Sequence, residues 1–109
     1  VDVRQYIRSL FVTKYTVLEA ADGEEGVRIA TNEIPDLIIS DIRMPDMRGD
    51  EFLHAVKSDE RFRHIRMVML SSEDSTSERI QLLQDGAEDY IVKPFNPMEL
   101  KVRIEKFLK

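Results

Sequence analysis

The stretch "PDLIISDIRMPDMRGDEF", residues 35–52, runs from a proline through the apolar triplet Leu37-Ile38-Ile39 to Asp41, and then through Met44-Pro45 to Gly49. Consecutive apolar residues without polar alternation mark a strand covered on both faces, the habit of parallel sheets flanked by helices. A buried strand that ends on a carboxylate, with the residues of a shaped turn beside it, asks for a chemical reason.

Working outward, three further runs have strand character: "YTVLEA" (15–20), "RMVML" (66–70) and "DYIVK" (89–93). Amphipathic segments lie between them. Val3, Ile7, Leu10 and Phe11 follow the spacing of one helix face, and Leu100, Ile104, Phe107 and Leu108 repeat it near the end. Ser75-x-x-Glu78 and Asn96-x-x-Glu99 have capping-box form, Pro97 suits a first helical position, and Gly86 suits a helix stop. The expected string is α (2–12), β (15–20), α (24–33), β (36–41), α (50–58), β (66–71), α (76–85), β (88–93), α (97–108). That is an α/β doubly wound layout with right-handed crossovers. It opens on a helix whose apolar stripe needs a sheet to cover, so a strand is expected upstream of Val1. Met67, Met69 and Met98 are expected to fill core. The run "KSDERFRHIR" (57–66) is expected to be a solvated connection, with His54 and His64 facing solvent.

The totals narrow the function classes. With 109 residues, 42% of them hydrophobic, the chain suits one domain with a core. A net charge of −5 would repel a phosphate backbone, which argues against direct nucleic-acid binding by this segment. The absence of cysteine removes disulfides, thiolate metal sites and a cysteine nucleophile. No apolar stretch approaches the ~20 residues that span a bilayer, so no membrane insertion is expected. A soluble, cytoplasmic domain is the expectation.

Ligands of open parallel sheets gather outside the carboxyl ends of the strands. Asp41, Ser71 and Lys93 each follow such a strand, so a carboxylate, a hydroxyl and an ammonium should share one rim. A carboxylate can attack phosphorus, an ammonium can balance the charge of a transferring phosphoryl group, and a hydroxyl can donate to one of its oxygens. The trio suits phosphoryl transfer onto Asp41.

The stretch 35–52, the pair Ser71-Ser72 and "DYIVKPF" (89–95) resemble the receiver domain of two-component response regulators, and the likeness spans the whole chain. It implies a flavodoxin-like (βα)5 sheet of order 2-1-3-4-5, a strand order that general fold rules give for a chemotaxis receiver among others. In that scheme residues 1–109 are a receiver domain lacking its first strand. The resemblance further implies that Asp41 is phosphorylated by a sensor histidine kinase or a histidine phosphotransfer protein. Mg²⁺ would be held by Asp41, the backbone carbonyl of Arg43 and an acidic pair upstream of Val1. Ser71 would contact the phosphoryl group, Lys93 would pair with it, and Tyr90 would be the aromatic switch. Pro45 and Gly49 would shape the metal-binding loop, and Lys93-Pro94 would be cis. Output would pass through the family's fourth helix, fifth strand and fifth helix to an output domain, a partner or a second copy. Arg48 departs from the acidic residues common at its position in the family.

The domain would be a phosphoacceptor that assists its own phosphorylation and dephosphorylation, and not an enzyme. Two other classes compete. A degenerate receiver would act only in interaction or dimerisation. A phosphohydrolase with an aspartyl-phosphate intermediate, like the dehalogenase-like phosphatases, needs a second aspartate two residues past the nucleophile, where this chain has Arg43.

Overall fold

The structure is a computed structural model that describes residues 3–44 and 46–108. Among these residues five helices and three strands follow in the order α1 (Val3–Phe11), α2 (Gly23–Glu33), β1 (Leu37–Asp41), α3 (Gly49–Lys57), β2 (Arg66–Ser71), α4 (Thr76–Gln84), β3 (Asp89–Val92) and α5 (Pro97–Glu105). The strands form a parallel sheet of order β1-β2-β3. Asp41 stands opposite Leu70, which stands opposite Ile91. These strands are the third, fourth and fifth of the expected five.

Helices cover both faces of the sheet. Side chains alternate across a strand, so successive residues feed opposite layers. Val68, Leu70 and Ile91 pack with Phe11 of α1 and with Leu100 and Ile104 of α5. Met67, Met69 and Tyr90 pack with Phe52, Leu53 and Val56 of α3 and Leu82 of α4, and Val27 of α2 lies against that layer. β2 is central, and its residues from Met67 to Ser71 are all buried. This explains why its sequence shows no polar alternation.

The strand expected over residues 15–20 does not form: Thr16–Ala20 carries no ladder. A β-prone run becomes a strand only where a partner offers backbone groups. In the expected order 2-1-3-4-5 the second strand's only neighbour is the first, and among the described residues no segment takes that place. Here the segment is held through side chains. Arg4 Nη1 donates to the Ala20 carbonyl at 2.8 Å, Arg8 pairs with Glu19 at 2.7 Å, and Tyr15 and Val17 lie against the α1–α5 core.

Three smaller expectations are corrected. The run 57–66 is more than a solvated connection, because Phe62 and Ile65 are buried in the α3–α4 core. Within the same run Lys57 Nζ donates to the Ile65 carbonyl at 2.6 Å and meets Glu88 at 3.3 Å. Met98 is 64% exposed and fills no core, since it falls on the outer side of α5 beside Asn96. Only half of each proposed capping box forms. Ser75 and Asn96 accept from the amides of Glu78 and Glu99, but the Glu99 carboxylate turns to Arg103 and that of Glu78 to two hydroxyls.

Candidate functional site

β1 delivers Asp41 to the carboxyl rim of the sheet. The chain then tightens. Ile42 donates its N–H to the Leu70 carbonyl at 3.1 Å, and Gly49 donates to the Ile42 carbonyl at 2.6 Å, so the loop after the strand folds back on itself. A Cβ at position 49 would collide with the Asp41 carbonyl oxygen and come within 2.7 Å of the Ile42 Cα. That close approach of backbone to backbone is what Gly49 permits. Asp46, in the same loop, accepts from the amides of Gly23 and Glu24 at 2.9 and 2.8 Å, which ties the loop to the start of α2. Those two amides hold its carboxyl below the ordinary 3.8. Pro45 lies outside the described residues.

β3 delivers the cation. Lys93 N–H donates to the Ser71 carbonyl at 2.6 Å, continuing the ladder one residue past the strand, and the Lys93-Pro94 peptide is cis. Lys93 follows Ile91 by two residues and so emerges on the face that Asp41 shares with Leu70 and Ile91. Its Nζ reaches Asp41 Oδ1 at 2.5 Å, with the two side chains 26% and 42% exposed. The carboxylate is therefore paired yet open to solvent on one side.

Ser71 ends β2 in a buried position, whereas Ser72 is exposed. The structure brings Asp41 and Lys93 together and turns the Ser71 hydroxyl elsewhere. Its Oγ accepts from the Glu73 amide at 3.0 Å, and it lies 3.1 Å from both the Glu73 carbonyl and Glu78 Oε1. Tyr90, 3% exposed, points its hydroxyl at the same pair, 2.6 Å from the Glu73 carbonyl and 2.8 Å from Glu78 Oε1. Burial raises the Tyr90 phenol above its ordinary 10.0, and the hydrogen bond to Glu78 adds to the rise. The Arg43 side chain pairs with Glu73 across the rim. His54 and His64 are exposed.

Sequence reasoning missed Glu73 and Glu78. Glu73 acts through its backbone, which carries no residue signal. Glu78 was visible only as half of a local cap.

Among the described residues no group of three or more metal-ligating side chains converges. The Asp41 carboxylate and the Arg43 carbonyl are hard oxygen donors. Mg²⁺ commonly takes one or two carboxylates and keeps several waters, so these donors suit the ion in kind. No helix among the described residues is long and apolar enough to cross a membrane.

Comparison with known proteins gives the same answer throughout. The chain matches the description "Response regulator receiver domain" over residues 1–105. It is 38% identical over 107 residues to histidine kinase P4 of Formosa agariphila, covering 98% of this chain and 8% of that protein. It is 32% identical over 108 residues to response regulator PleD of Caulobacter vibrioides, covering 99% of this chain and 24% of that protein. The chain thus spans a small part of these curated relatives, which include both sensor kinases and response regulators. Among solved structures, the Vibrio cholerae chemotaxis protein CheY4 superposes with a TM-score of 0.88 at 34% identity, over 96% of this chain and 88% of that one. On the family match and on these relatives alike, the chain belongs to the response regulator receiver domain family, the phosphoacceptor signalling modules of two-component systems.

Proposed function

We propose that Asp41 accepts a phosphoryl group from the phosphohistidine of a sensor histidine kinase or a histidine phosphotransfer protein. The modified state is then read on the face built by α4, β3 and α5. The observation that carries this reading is the 2.5 Å pairing of Lys93 Nζ with Asp41 Oδ1, between residues 52 positions apart. An ammonium held beside an open carboxylate at a sheet rim serves an incoming anion better than it serves stability, because a half-exposed ion pair contributes little.

In the transfer, an Asp41 carboxylate oxygen forms the new O–P bond as the P–N bond to the donor imidazole breaks. The electron pair of that bond remains on the imidazole nitrogen, which departs neutral when the other ring nitrogen carries a proton. Lys93 keeps its proton and follows the negative charge onto the phosphoryl oxygens. Ser71, at the end of β2, supplies a hydroxyl donor to one of those oxygens. Receiver domains generally bind Mg²⁺. Asp41, the Arg43 carbonyl and acidic groups upstream of Val1 would hold it, and when bound it supplies Lewis-acid stabilisation of the phosphoryl charge. Receiver domains are signalling modules rather than turnover enzymes, and Arg43 stands where an aspartyl-phosphate phosphatase carries its second aspartate. Hydrolysis of the acyl phosphate by water would reset the domain.

The output face has the character of a docking surface. A groove of about 490 Å³ runs between α4 and α5 along β3, lined by Arg79, Leu83, Asp89, Phe95 and Arg103 among others. Ile80 of α4 and Val102 of α5 are exposed apolar residues on the helices that bound it. An output domain, a partner or a second copy of the domain would read it.

The test uses the full-length protein, acetyl phosphate and Mg²⁺, with mass spectrometry as the readout. One phosphoryl group is expected on the wild type and none on Asp41→Asn. Equal labelling of the two removes Asp41 from the mechanism. An unlabelled wild type favours a receiver that acts only through interaction.

A further inference from the structure

Glu78, at the third position of α4, takes no part in the transfer step, yet it engages both hydroxyls of the switch. Its Oε1 lies 3.1 Å from Ser71 Oγ and 2.8 Å from the Tyr90 hydroxyl. The Glu73 carbonyl is the second acceptor for the same two groups, at 3.1 and 2.6 Å. Each hydroxyl carries one proton, so two protons serve two acceptors with none to spare. No ion pair neutralises Glu78 among the described residues: its neighbour Arg79 pairs with Asp74 at 3.1 Å and lies 5.3 Å over the Tyr90 ring. Nor does the carboxylate close a capping box on its own helix, because its hydrogen-bond partners are the two hydroxyls and not the Ser75 amide.

We propose that Glu78 is a positioning residue: it holds the Ser71 hydroxyl off the phosphoacceptor pocket and makes the release of that hydroxyl depend on Tyr90. The inference rests on Asp41 being the phosphoacceptor. To donate to a phosphoryl oxygen, Ser71 must withdraw its proton from the Glu73–Glu78 pair. Tyr90 then has one proton for two acceptors, and the better claim belongs to the carboxylate, since charge-assisted hydrogen bonds are roughly twice as strong as neutral ones. That competition opposes the modified state, and it weakens if residue 78 is neutral. Glu78 thus sets how readily the domain leaves its unmodified form, and the movement it resists is shared by the end of β2, the loop after it and the buried aromatic of β3.

The test measures initial labelling of the full-length protein by acetyl phosphate and Mg²⁺ in wild type, Glu78→Gln, Ser71→Ala and the double variant. Glu78→Gln is expected to label faster by about tenfold, the scale of one charge-assisted hydrogen bond removed. That acceleration should disappear in the Ser71→Ala background, which a general charge effect or a change in helix stability would not produce. Glu78→Ala, checked for an unaltered thermal melt, should move in the same direction. A Glu78→Gln rate equal to or below wild type overturns the proposal, as does an acceleration that survives in Ser71→Ala. Wild type that takes no label, or labelling unchanged in Asp41→Asn, overturns the acceptor reading instead and the latch with it. That failure is recognisable because it appears whatever stands at position 78.

Discussion

At the scale of single residues, the site depends on a glycine as much as on its charged groups. Gly49 touches the backbone of Asp41 and Ile42 so closely that a methyl group there must push the end of β1 or the start of α3. Gly49→Ala is therefore expected to lower stability by about 1–3 kcal/mol, as over-packing does, and to slow acetyl phosphate labelling as well. Urea unfolding measures the first effect, and a midpoint unchanged from wild type would show that the loop yields freely. Asp41, Lys93 and Gly49 were all legible in the sequence, because each stands at a strand end or turn where its chemistry is unusual. Glu78 was not, since its local pattern announced a helix cap and its actual partners come from β2 and β3.

Among the secondary-structure elements, the instructive case is how α2 ends. Helices commonly stop on a glycine or asparagine in the left-handed region, and no such residue marks the end of α2. Ile34 takes that conformation, with φ of 47° and its N–H bonded to the Ala30 carbonyl at 3.0 Å. A β-branched residue is strained there by roughly 1–2 kcal/mol, and at 49% exposure Ile34 recovers only part of this through burial. Pro35 directly after it forbids the helix to continue. Ile34→Gly is expected to stabilise the fold by about 0.5–1 kcal/mol, the strain relieved less the entropy that glycine adds to the unfolded chain. Denaturant midpoints would reveal it, and a loss of stability would mean that the apolar contacts of Ile34 outweigh its strain. Elsewhere the elements follow their sequence signals to within a few residues: Gly86 ends α4 at φ 113°, and Pro97 opens α5 behind the Asn96 cap.

For the molecule as a whole, order should decrease outward from β2. Its amides face a strand on each side, and Glu88 accepts the Met67 N–H at 2.6 Å where the ladder begins. Hydrogen exchange on the 109-residue chain is expected to be slowest in Met67–Leu70, approaching the global opening rate. Residues 16–20, held by side chains and not by a ladder, should exchange orders of magnitude faster. Equal protection in the two segments would place 16–20 in a sheet after all. The same gradient suits a signalling domain: Asp41 and Lys93 stand at the carboxyl rim of the ordered sheet, while Glu73 and Glu78, which hold the Ser71 and Tyr90 hydroxyls, lie in the loop after β2 and the first turn of α4.

By itself the sequence determined where the strands from 36 onward run, where most helices begin and stop, and which three side chains end those strands. Hydrophobic periodicity and cap chemistry are local and survive without knowledge of the fold. Only the tertiary structure decided that Thr16–Ala20 stays unpaired, that Phe62 and Ile65 leave their polar run to plug the core, and that Met98 stays outside. It alone decided that Glu78 binds Ser71 and Tyr90. Each of these outcomes depends on what lies across space from the residue, and a hydrogen-bond partner or a packing surface is not encoded in neighbours along the chain.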